Sequence, residues 1–231
     1  MKAPLISVIV PVWNGARFLA ESLDSILAQQ HRPLEILVVD DGSEDDSASI
    51  AERYGEPVRV LRQSHRGPAA ARNTGITAAR GELLAFNDCD DLWLPQKLMR
   101  QLEFLTARPD IDMCLTWAQN FWEEELAEDA AAYADHPMSK PYGGYSIQSL
   151  LMRAAAARRA PLLPEHLRHG ETAVWIESAR AAGLTVEELR EVLVRRRLHR
   201  GNMTRLEVGA AAEGVFHFLQ TRLRTRRSQP S

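Results

Sequence analysis

The chain has 231 residues, a formal net charge of −3, 45% hydrophobic and 26% charged residues, and two cysteines. This length gives a domain room for a buried core, and the ordinary shares of apolar and charged residues exclude intrinsic disorder. The near-neutral charge gives no reason to expect a nucleic-acid partner. Two cysteines are too few for a disulfide framework, and no apolar run reaches the roughly 20 residues of a membrane span. We therefore expect a cytoplasmic enzyme.

Strands and helices are predicted to alternate through the first half of the chain. Apolar residues at helical spacing follow each strand, with Gly67-Pro68 opening the third helix and Pro95 preceding the fourth. Such alternation with short connections, up to about Arg108, predicts a mainly parallel sheet covered by helices on both faces. The strands are predicted from short β-branched apolar runs at Ile6–Val12, Leu34–Val39, Val58–Leu61 and Leu83–Phe86.

The second half has a less regular pattern. Residues 113–117 have the character of a strand, whereas the acidic, alanine-rich stretch 122–135 fits either a loop or a poorly anchored helix. Residues 137–145 carry two prolines and two adjacent glycines, which predict a mobile connection. A further helix is predicted around residues 173–179, ending at Gly183.

Positive charge is concentrated at the C-terminus. Residues 195–231 contain nine arginines and two glutamates, a local balance of +7, so the first 194 residues carry −10. Apolar residues at helical spacing between Val208 and Leu223 predict a C-terminal amphipathic helix followed by a basic tail. This helix is expected either to pack on the rest of the protein or to contact an anionic membrane surface peripherally.

Two predicted strands end in clusters of carboxylates, Asp40-Asp41 and Asp88-Cys-Asp90-Asp91. The carboxyl ends of parallel strands meet at one edge of a sheet, and ligands bind there. Carboxylates packed together repel, so they require a cation or a hydrogen-bonding ligand. Oxygen ligands suit Mg²⁺ or Mn²⁺ shared with substrate phosphates, which predicts a nucleotide diphosphate held through a metal. A simple turn and helix cap is the alternative interpretation of the first cluster.

Four motifs then occur in order along residues 5–105, and together they resemble a family 2 glycosyltransferase of the GT-A fold. The resemblance implies an α/β, Rossmann-like three-layer fold. Residues 1–108 would be its nucleotide-sugar-binding half, residues 109–205 the acceptor-side half of the same domain, and residues 206–231 the C-terminal helix and tail. The motifs are Ser7-Val-Ile-Val-Pro-Val-Trp-Asn14, Leu37-Val-Val-Asp-Asp-Gly-Ser43, Ala71-Arg-Asn-Thr-Gly75 with Ala79-Arg-Gly-Glu82, and Asn87-Asp-Cys-Asp-Asp-Leu-Trp-Leu-Pro95.

The resemblance implies a role for five residues in nucleotide binding. Trp13 matches a position that stacks on the base, with a core or rim tryptophan as the alternative, and Asp41 matches a position that hydrogen-bonds the base. Pro11 belongs to the same motif as Trp13. Arg72 borders the donor site, and Asp88 would lie near the ribose and the metal.

The resemblance also implies a metal site. Asp90 matches the last acid of the family's Asp-x-Asp motif, which holds the Mn²⁺ or Mg²⁺ that bridges the donor's diphosphate. The stretch from Arg197 to Thr204 is similar to the family's closing basic segment, which implies His199 as a third metal ligand or a contact to the diphosphate. A partly exposed histidine without this role is the alternative.

The resemblance implies transfer with inversion, in which a carboxylate removes the proton of the acceptor hydroxyl. The family places this base at the second acid of a Glu-Asp pair, but here the pair reads Glu171-Thr172. Because a threonine hydroxyl is a very poor base, we expect Glu171 to take this role. An acid elsewhere, Glu165 or one of residues 123–125, is the second option.

The expected function is therefore a glycosyltransferase that uses a nucleoside-diphosphate sugar. Uridine is the expected base, with thymidine and guanosine left open, and the acceptor is a saccharide, lipid or protein. Thr172 favours a rival interpretation, a nucleotide-sugar-binding pseudoenzyme with a regulatory role. A nucleotidyltransferase, which releases pyrophosphate from a nucleoside triphosphate, is a second rival.

Overall fold

Strands and helices alternate along residues 3–167 and 169–202, which are the residues described by the computed structural model. The strands are β1 (Ile6–Val12), β2 (Leu34–Asp40), β3 (Val58–Arg62), β4 (Leu83–Phe86), β5 (Leu92–Trp93), β6 (Met113–Trp122), β7 (Leu151–Arg153) and β8 (Val186–Leu198). The helices are α1 (Ala16–Leu27), α2 (Ser47–Glu52), α3 (Pro68–Ala78), α4 (Lys97–Ala107), α5 (Ala127–Ala132), α6 (Ala154–Ala157) and α7 (Glu171–Ala181).

The strands form one sheet in the order β3-β2-β1-β4-β7-β6-β8-β5. The first four strands in this order are parallel, whereas β7 is antiparallel to both β4 and β6, and β8 is again parallel to β6. The expected α/β fold with a mainly parallel sheet is confirmed. Strands from both sides of residue 108 belong to this sheet, because β4 pairs with β7.

The side chains of β1 show why helices cover both faces of the sheet. Successive side chains of a strand point to opposite faces, so Val8 and Val10 pack in the core under α1 and α4, and Ile9 packs in the core under α3 and α7. On the second face α3 lies very close to β1. A Cβ on Gly75 would lie 2.4 Å from Cγ2 of Ile9, so only glycine allows this approach.

The second half is more regular than the sequence pattern suggests. β6 extends beyond the expected residues 113–117 because it pairs with β8 over its whole length, with a bulge near Thr116 and Trp117. β5, β7 and β8 are not among the predicted strands. β5 and β7 span two and three residues, too few for a visible alternation, and β8 carries charged side chains on both faces.

The segments between these strands resolve two open expectations. The acidic stretch contains a 3₁₀ turn at Glu124–Leu126 and then α5, which has no buried residue. The connection over residues 137–145 is attached to the sheet, because the N–H and C=O of Tyr142 both pair with Ala118. The C-terminal helix expected at 206–231 lies outside the described residues. Within the described ranges, no helix is both long enough and apolar enough to cross a membrane.

One ionisable side chain lies inside the core next to β5. Lys97, at the start of α4, is fully buried. Its Nζ donates to Oε1 of Gln101 at 2.9 Å and lies 3.9 Å from the centre of the Trp93 ring. Burial disfavours the charged ammonium and lowers the pKa of Lys97 from 10.5 to about 7.

We expect this lysine to make the free energy of unfolding rise by about 1–2 kcal/mol between pH 7 and pH 8.5. The unfolded chain keeps the lysine proton in this range while the folded chain releases it, so higher pH favours the folded state. Urea denaturation of the wild type and of Lys97→Met at both pH values measures the effect. The variant should lack this rise, and the same pH dependence in both proteins would contradict the assignment.

Candidate functional site

The carboxyl ends of the parallel strands meet at one edge of the sheet. Trp13 directly follows β1 and Asp41 directly follows β2, while Asp88 and Asp90 lie in the loop after β4. This is the edge at which an open parallel sheet binds ligands. Two elements of the second half also reach it: the N-terminus of α7 and the end of β8.

Pro11 is buried inside β1, where its missing N–H costs no hydrogen bond. The C=O of Ile9 accepts from Asn87 on the β4 side, and the C=O of Val12 accepts from Asp41 on the β2 side. Because the backbone groups of successive residues point to alternate sides of a strand, the nitrogen of Pro11 faces the β4 side. The pairing of β4 with β1 ends at Ile9, so no β4 residue pairs with Pro11. A contact between Pro11 and a nucleotide remains a prediction.

Trp13 is the exposed aromatic residue at this edge. Its relative exposure is 52%, so it is not a core tryptophan. The ring of His65 stacks on it, with the two ring centres 4.4 Å apart and the planes at 30°. A broad aromatic surface therefore stands beside the end of β1, as stacking on a base would require.

Asp41 is buried, and its carboxylate holds the loop between β3 and α3. Oδ1 accepts from Nε2 of Gln63 at 2.6 Å and from the N–H of Arg66 at 3.0 Å. Oδ2 accepts from the N–H of Gly67 at 2.7 Å and lies 3.0 Å from Nδ1 of His65. A carboxylate has about four acceptor positions. Three of them accept hydrogen bonds and His65 lies against the fourth, and the role of Asp41 in base recognition remains a prediction.

Arg72 is a buried cation between two carboxylates. Its Nη2 donates to Oδ1 of Asp88 at 2.7 Å, and its Nη1 donates to Oε1 of Glu171 at 2.9 Å. Burial alone would lower the pKa of Arg72, but the two carboxylates raise it. Burial raises the pKa of Asp88, the charge of Arg72 opposes this, and the neighbouring Asp90 adds to the rise. Arg72 thus joins the Asp-x-Asp loop to the start of α7.

Glu171 therefore lies in the crevice and not in bulk solvent. It is the first residue of α7, and its side chain is 12% exposed. Thr172 is buried, with its Oγ1 3.5 Å from Oε1 of Glu171. The structure brings a carboxylate to this edge one residue before the position where the family pattern has its base.

Three of the four other candidate bases, all except Glu124, are tied to different partners. Glu165 accepts from Nδ2 of Asn73 at 3.0 Å. Glu123 pairs with the buried Arg197, and Glu125 accepts from the exposed Arg17 at 3.0 Å. These contacts hold Glu123 and Glu125 beside the end of β8, whereas Glu171 shares a cation with Asp88. Glu171 remains the preferred candidate.

Asp90 and His199 meet at the same edge although 109 positions separate them in the chain. Oδ2 of Asp90 lies 3.0 Å from Nε2 of His199 and 3.3 Å from Nδ2 of Asn202. Asn202 also accepts from the N–H of His199 at 2.6 Å, which fixes the turn after β8. The histidine is thus a partner of the carboxylate loop, not an isolated surface residue.

These two residues fit a divalent cation. Two ligand atoms at right angles around an ion with bonds of about 2.1 Å are about 3.0 Å apart, which is the separation of the Asp90 oxygen and the His199 nitrogen. The described residues contain no group of three or more His, Cys, Asp or Glu that could hold a metal. Two protein ligands leave positions for phosphate oxygens and water, as Mg²⁺ sites commonly do.

Arg197 holds the Asp-x-Asp loop in place from the side of β8. Its N–H donates to Oδ1 of Asp91 at 2.8 Å, and its Nε donates to the C=O of Asp90 at 2.8 Å. The guanidinium lies between the rings of Phe18 and Phe121, 4.6 and 4.7 Å from their centres. Since β8 ends one residue later, Arg197 also sets the position from which His199 reaches Asp90.

Three residues of this edge are absent from the sequence-based site: His65, Arg197 and Asn202. Asn202 follows His199 by three residues, and this spacing was the available signal. Arg197 lies in a run of consecutive arginines in β8, whose side chains point to alternate faces of the strand. Arg195 and Arg197 therefore both contact Phe121. The sequence does not distinguish Arg197 from its neighbours, because its partners come from distant segments.

Comparisons with known proteins identify the family. The profile described as Glycosyl transferase family 2 matches residues 7–161. An uncharacterized glycosyltransferase of Rickettsia prowazekii is 27% identical over 213 residues, which cover 87% of this chain and 66% of that protein. The chain thus spans slightly less than two thirds of this relative.

Two solved structures share the fold. S. aureus TarS 1-349 in complex with UDP-GlcNAc superposes with a TM-score of 0.69 at 19% identity, covering 94% of this chain and 71% of that one. Mannosyltransferase PcManGT from Pyrobaculum calidifontis, in complex with GDP-Man and Mn²⁺, gives 0.70 at 21% identity, covering 97% and 65%. The expected GT-A fold is confirmed by this likeness and by the sheet described above.

We expect Arg72→Met to lower the free energy of unfolding by about 3 kcal/mol at pH 7, because two carboxylates would be left without their shared cation. The loss should be smaller at pH 5, where Asp88, whose pKa burial already raises, can take up a proton. Urea denaturation at the two pH values measures both effects.

Arg17→Met is the matched control. Arg17 also bridges two glutamates, but its side chain is 55% exposed, so its removal should cost less than about 1 kcal/mol. Equal losses in the two variants would show that Arg72 is not a buried counter-ion.

Proposed function

We propose that this chain, which belongs to glycosyl transferase family 2, transfers a sugar from a nucleoside-diphosphate sugar to an acceptor hydroxyl with the help of a divalent cation. One observation carries the proposal: a single sheet edge brings the Asp90–His199 pair next to the Asp88–Arg72–Glu171 series of ion pairs. The first group suits a metal–diphosphate, and the second ends in a carboxylate that can accept a proton.

The donor would lie along the ends of β1, β2 and β4. Trp13 would stack on its base, with Asp41 and Pro11 beside it, and Asp88 would lie near the ribose. The two structural neighbours were solved with UDP-GlcNAc and with GDP-Man, which supports a nucleotide-sugar donor here. We retain uridine as the expected base.

Asp90 and His199 would hold Mn²⁺ or Mg²⁺. When bound, the ion supplies positive charge that stabilises the leaving diphosphate. Asn202 would keep His199 oriented through its contact with the histidine backbone, and Arg197 would keep the backbone of Asp90 in place. The Mn²⁺ complex of PcManGT supports the use of a divalent cation.

The reaction would be a single displacement with inversion. The acceptor oxygen forms a bond to the anomeric carbon while the bond from that carbon to the diphosphate oxygen breaks, and the nucleoside diphosphate leaves. The carboxylate of Glu171 takes the proton of the acceptor hydroxyl. Arg72 lies between Glu171 and Asp88, so it balances the charge of the base and of the donor-side acid together.

The organisation of the chain follows from this assignment. Residues 1–108 would bind the donor and residues 109–205 would form the acceptor side of the same domain. The acceptor would be a saccharide, a lipid or a protein. The expected C-terminal helix at 206–231 would attach the protein peripherally to a membrane or pack on the catalytic domain, with the active site in the cytoplasm.

One alternative function is favoured by a specific observation. Thr172 stands where the family pattern has its base, and the carboxylate of Glu171 is already paired with a buried arginine. Both features suit a pseudoenzyme that binds a nucleotide sugar and regulates a partner. Release of UDP from UDP-sugars with Mn²⁺, measured in the presence and absence of acceptor mixtures, separates this function from the transferase.

We expect Asp90→Asn to lower the affinity for UDP in the presence of Mn²⁺ by at least about 10-fold, since even residues outside the metal's first contacts often matter that much. Affinity without metal should not change. The fold should persist, because the Asp90 side chain is 24% exposed and loss of its charge relieves the repulsion with Asp88 and Asp91. Isothermal titration measures both affinities, with the exposed Asp110→Asn as control. Unchanged binding with Mn²⁺ would place the metal elsewhere.

Glu171→Gln should lower the rate of transfer or of donor hydrolysis by at least about 100-fold, the usual effect of losing a general base. UDP affinity should change little, because the amide oxygen can still accept from Arg72. Thr172→Asp, its matched partner, should be neutral or harmful. If Glu171→Gln has no effect and Thr172→Asp raises the rate, the chain is a decayed transferase and Glu171 is not its base.

A further inference from the structure

His65 makes both of the contacts that the proposed function assigns to the nucleobase. Its imidazole ring stacks on Trp13, with 4.4 Å between the ring centres. Its Nδ1 lies 3.0 Å from Oδ2 of Asp41 and 3.2 Å from the backbone oxygen of the same residue. Both oxygens are acceptors, so Nδ1 must carry the hydrogen.

A base cannot make these contacts while His65 stays where it is. Rings 4.4 Å apart leave no room for a third ring between them. The imidazole is the ring that reaches from Trp13 to Asp41. A planar base that touches both residues must therefore occupy the volume of the imidazole.

The hydrogen bonds of Asp41 lead to the same result. Three hydrogen bonds to its carboxylate come from the backbone of Arg66 and Gly67 and from Gln63, and Nδ1 of His65 lies 3.0 Å from Oδ2, at the fourth acceptor position. Gln63 is itself held, because its Oε1 accepts from Thr74 at 2.6 Å. His65, in contrast, donates to the backbone oxygen of Asp41, and its side chain is 51% exposed, so it can leave without opening the core.

We propose that His65 occupies the nucleobase subsite of the free protein, and that a nucleotide binds by replacing the imidazole on Trp13 and its one hydrogen bond to Asp41. The proposal rests on the proposed function, because it assumes that Trp13 and Asp41 receive the base.

The exchange selects among bases. Departure of His65 uncovers the one acceptor position of the Asp41 carboxylate that the three other donors leave, and a base can fill it with one N–H. Uracil and thymine present a single ring N–H between two carbonyls. Cytosine presents an unprotonated ring nitrogen at this place, which a carboxylate repels, and guanine presents two adjacent N–H donors where one position is free. The acceptor position of Asp41 that His65 covers therefore favours uridine or thymidine diphosphates.

The test compares UDP, CDP and inorganic pyrophosphate, each with Mn²⁺, by isothermal titration on the full chain. His65→Ala should bind UDP about 10-fold more tightly than the wild type, because no side chain competes for the stack and the hydrogen bond. Its affinity for pyrophosphate, which has no base, should not change. CDP should bind more weakly than UDP to both proteins.

Two variants sharpen the comparison. His65→Phe keeps a ring against Trp13 but cannot donate to Asp41, so its gain should be smaller than that of His65→Ala. His136→Ala is the matched control, because His136 is also exposed and packs on an aromatic ring, 5.2 Å from the centre of Tyr133. It should bind UDP as the wild type does.

Unchanged or weaker UDP binding by His65→Ala would overturn the proposal, because it would show that His65 does not compete with the base. A gain for His65→Phe at least as large as that for His65→Ala would also overturn it, as would equal affinities for UDP and CDP. If the wild type binds pyrophosphate and UDP equally, the base subsite lies elsewhere and the inference fails while the proposed function stands. If the wild type binds none of these ligands, the proposed function fails as well.

Discussion

The site depends on the compensation of carboxylates that the fold gathers at one edge of its sheet. Parallel strands end on the same side, and two of them are followed at once by aspartates, so negative charge accumulates there. A buried carboxylate without a partner costs several kcal/mol, so each must find a cation or hydrogen-bond donors. The partners that the chain supplies determine which segments meet at the crevice.

Arg72 and Arg197 supply this compensation from two directions. Arg72, on α3, pairs with Asp88 and with Glu171, which lies 99 residues after Arg72 in the chain. Arg197, on β8, contacts the backbone of Asp90 and the carboxylate of Asp91. Each arginine joins the Asp-x-Asp loop to the second half of the chain, so the proposed donor and acceptor sides are held together by charge as well as by the shared sheet.

The carboxylates differ in how much freedom these contacts leave them. The carboxylate of Asp41 accepts three hydrogen bonds, and Asp91 is buried, with its pKa raised by burial and by the charges of Asp90 and Asp88. Asp90 keeps a partly exposed carboxylate whose neighbour is the imidazole of His199. The acid that the family pattern assigns to the metal is thus partly exposed, while the buried Asp41 and Asp91 hold the loops around it.

Local patterns in the sequence determined the first half of the fold. β1, β2 and β4 are mostly apolar runs buried on both faces, so short segments were enough to predict them and the aspartates at the ends of β2 and β4. The edge strand β3 is only partly buried, but its apolar residues Val58, Val60 and Leu61 were enough to indicate it. β5, β7 and β8 were not predictable, because two or three residues show no periodicity and β8 pairs charged side chains with partners on distant elements. The motifs likewise placed Asp41, Asp88 and Asp90 at one edge. Only the tertiary structure decided that His65 fills the space between Trp13 and Asp41, that Arg72 is shared by Asp88 and Glu171, and that Asn202 and Arg197 support the pair of Asp90 and His199. These contacts join segments far apart in sequence, and their geometry follows from how the helices and β8 pack on the sheet, which no local pattern records.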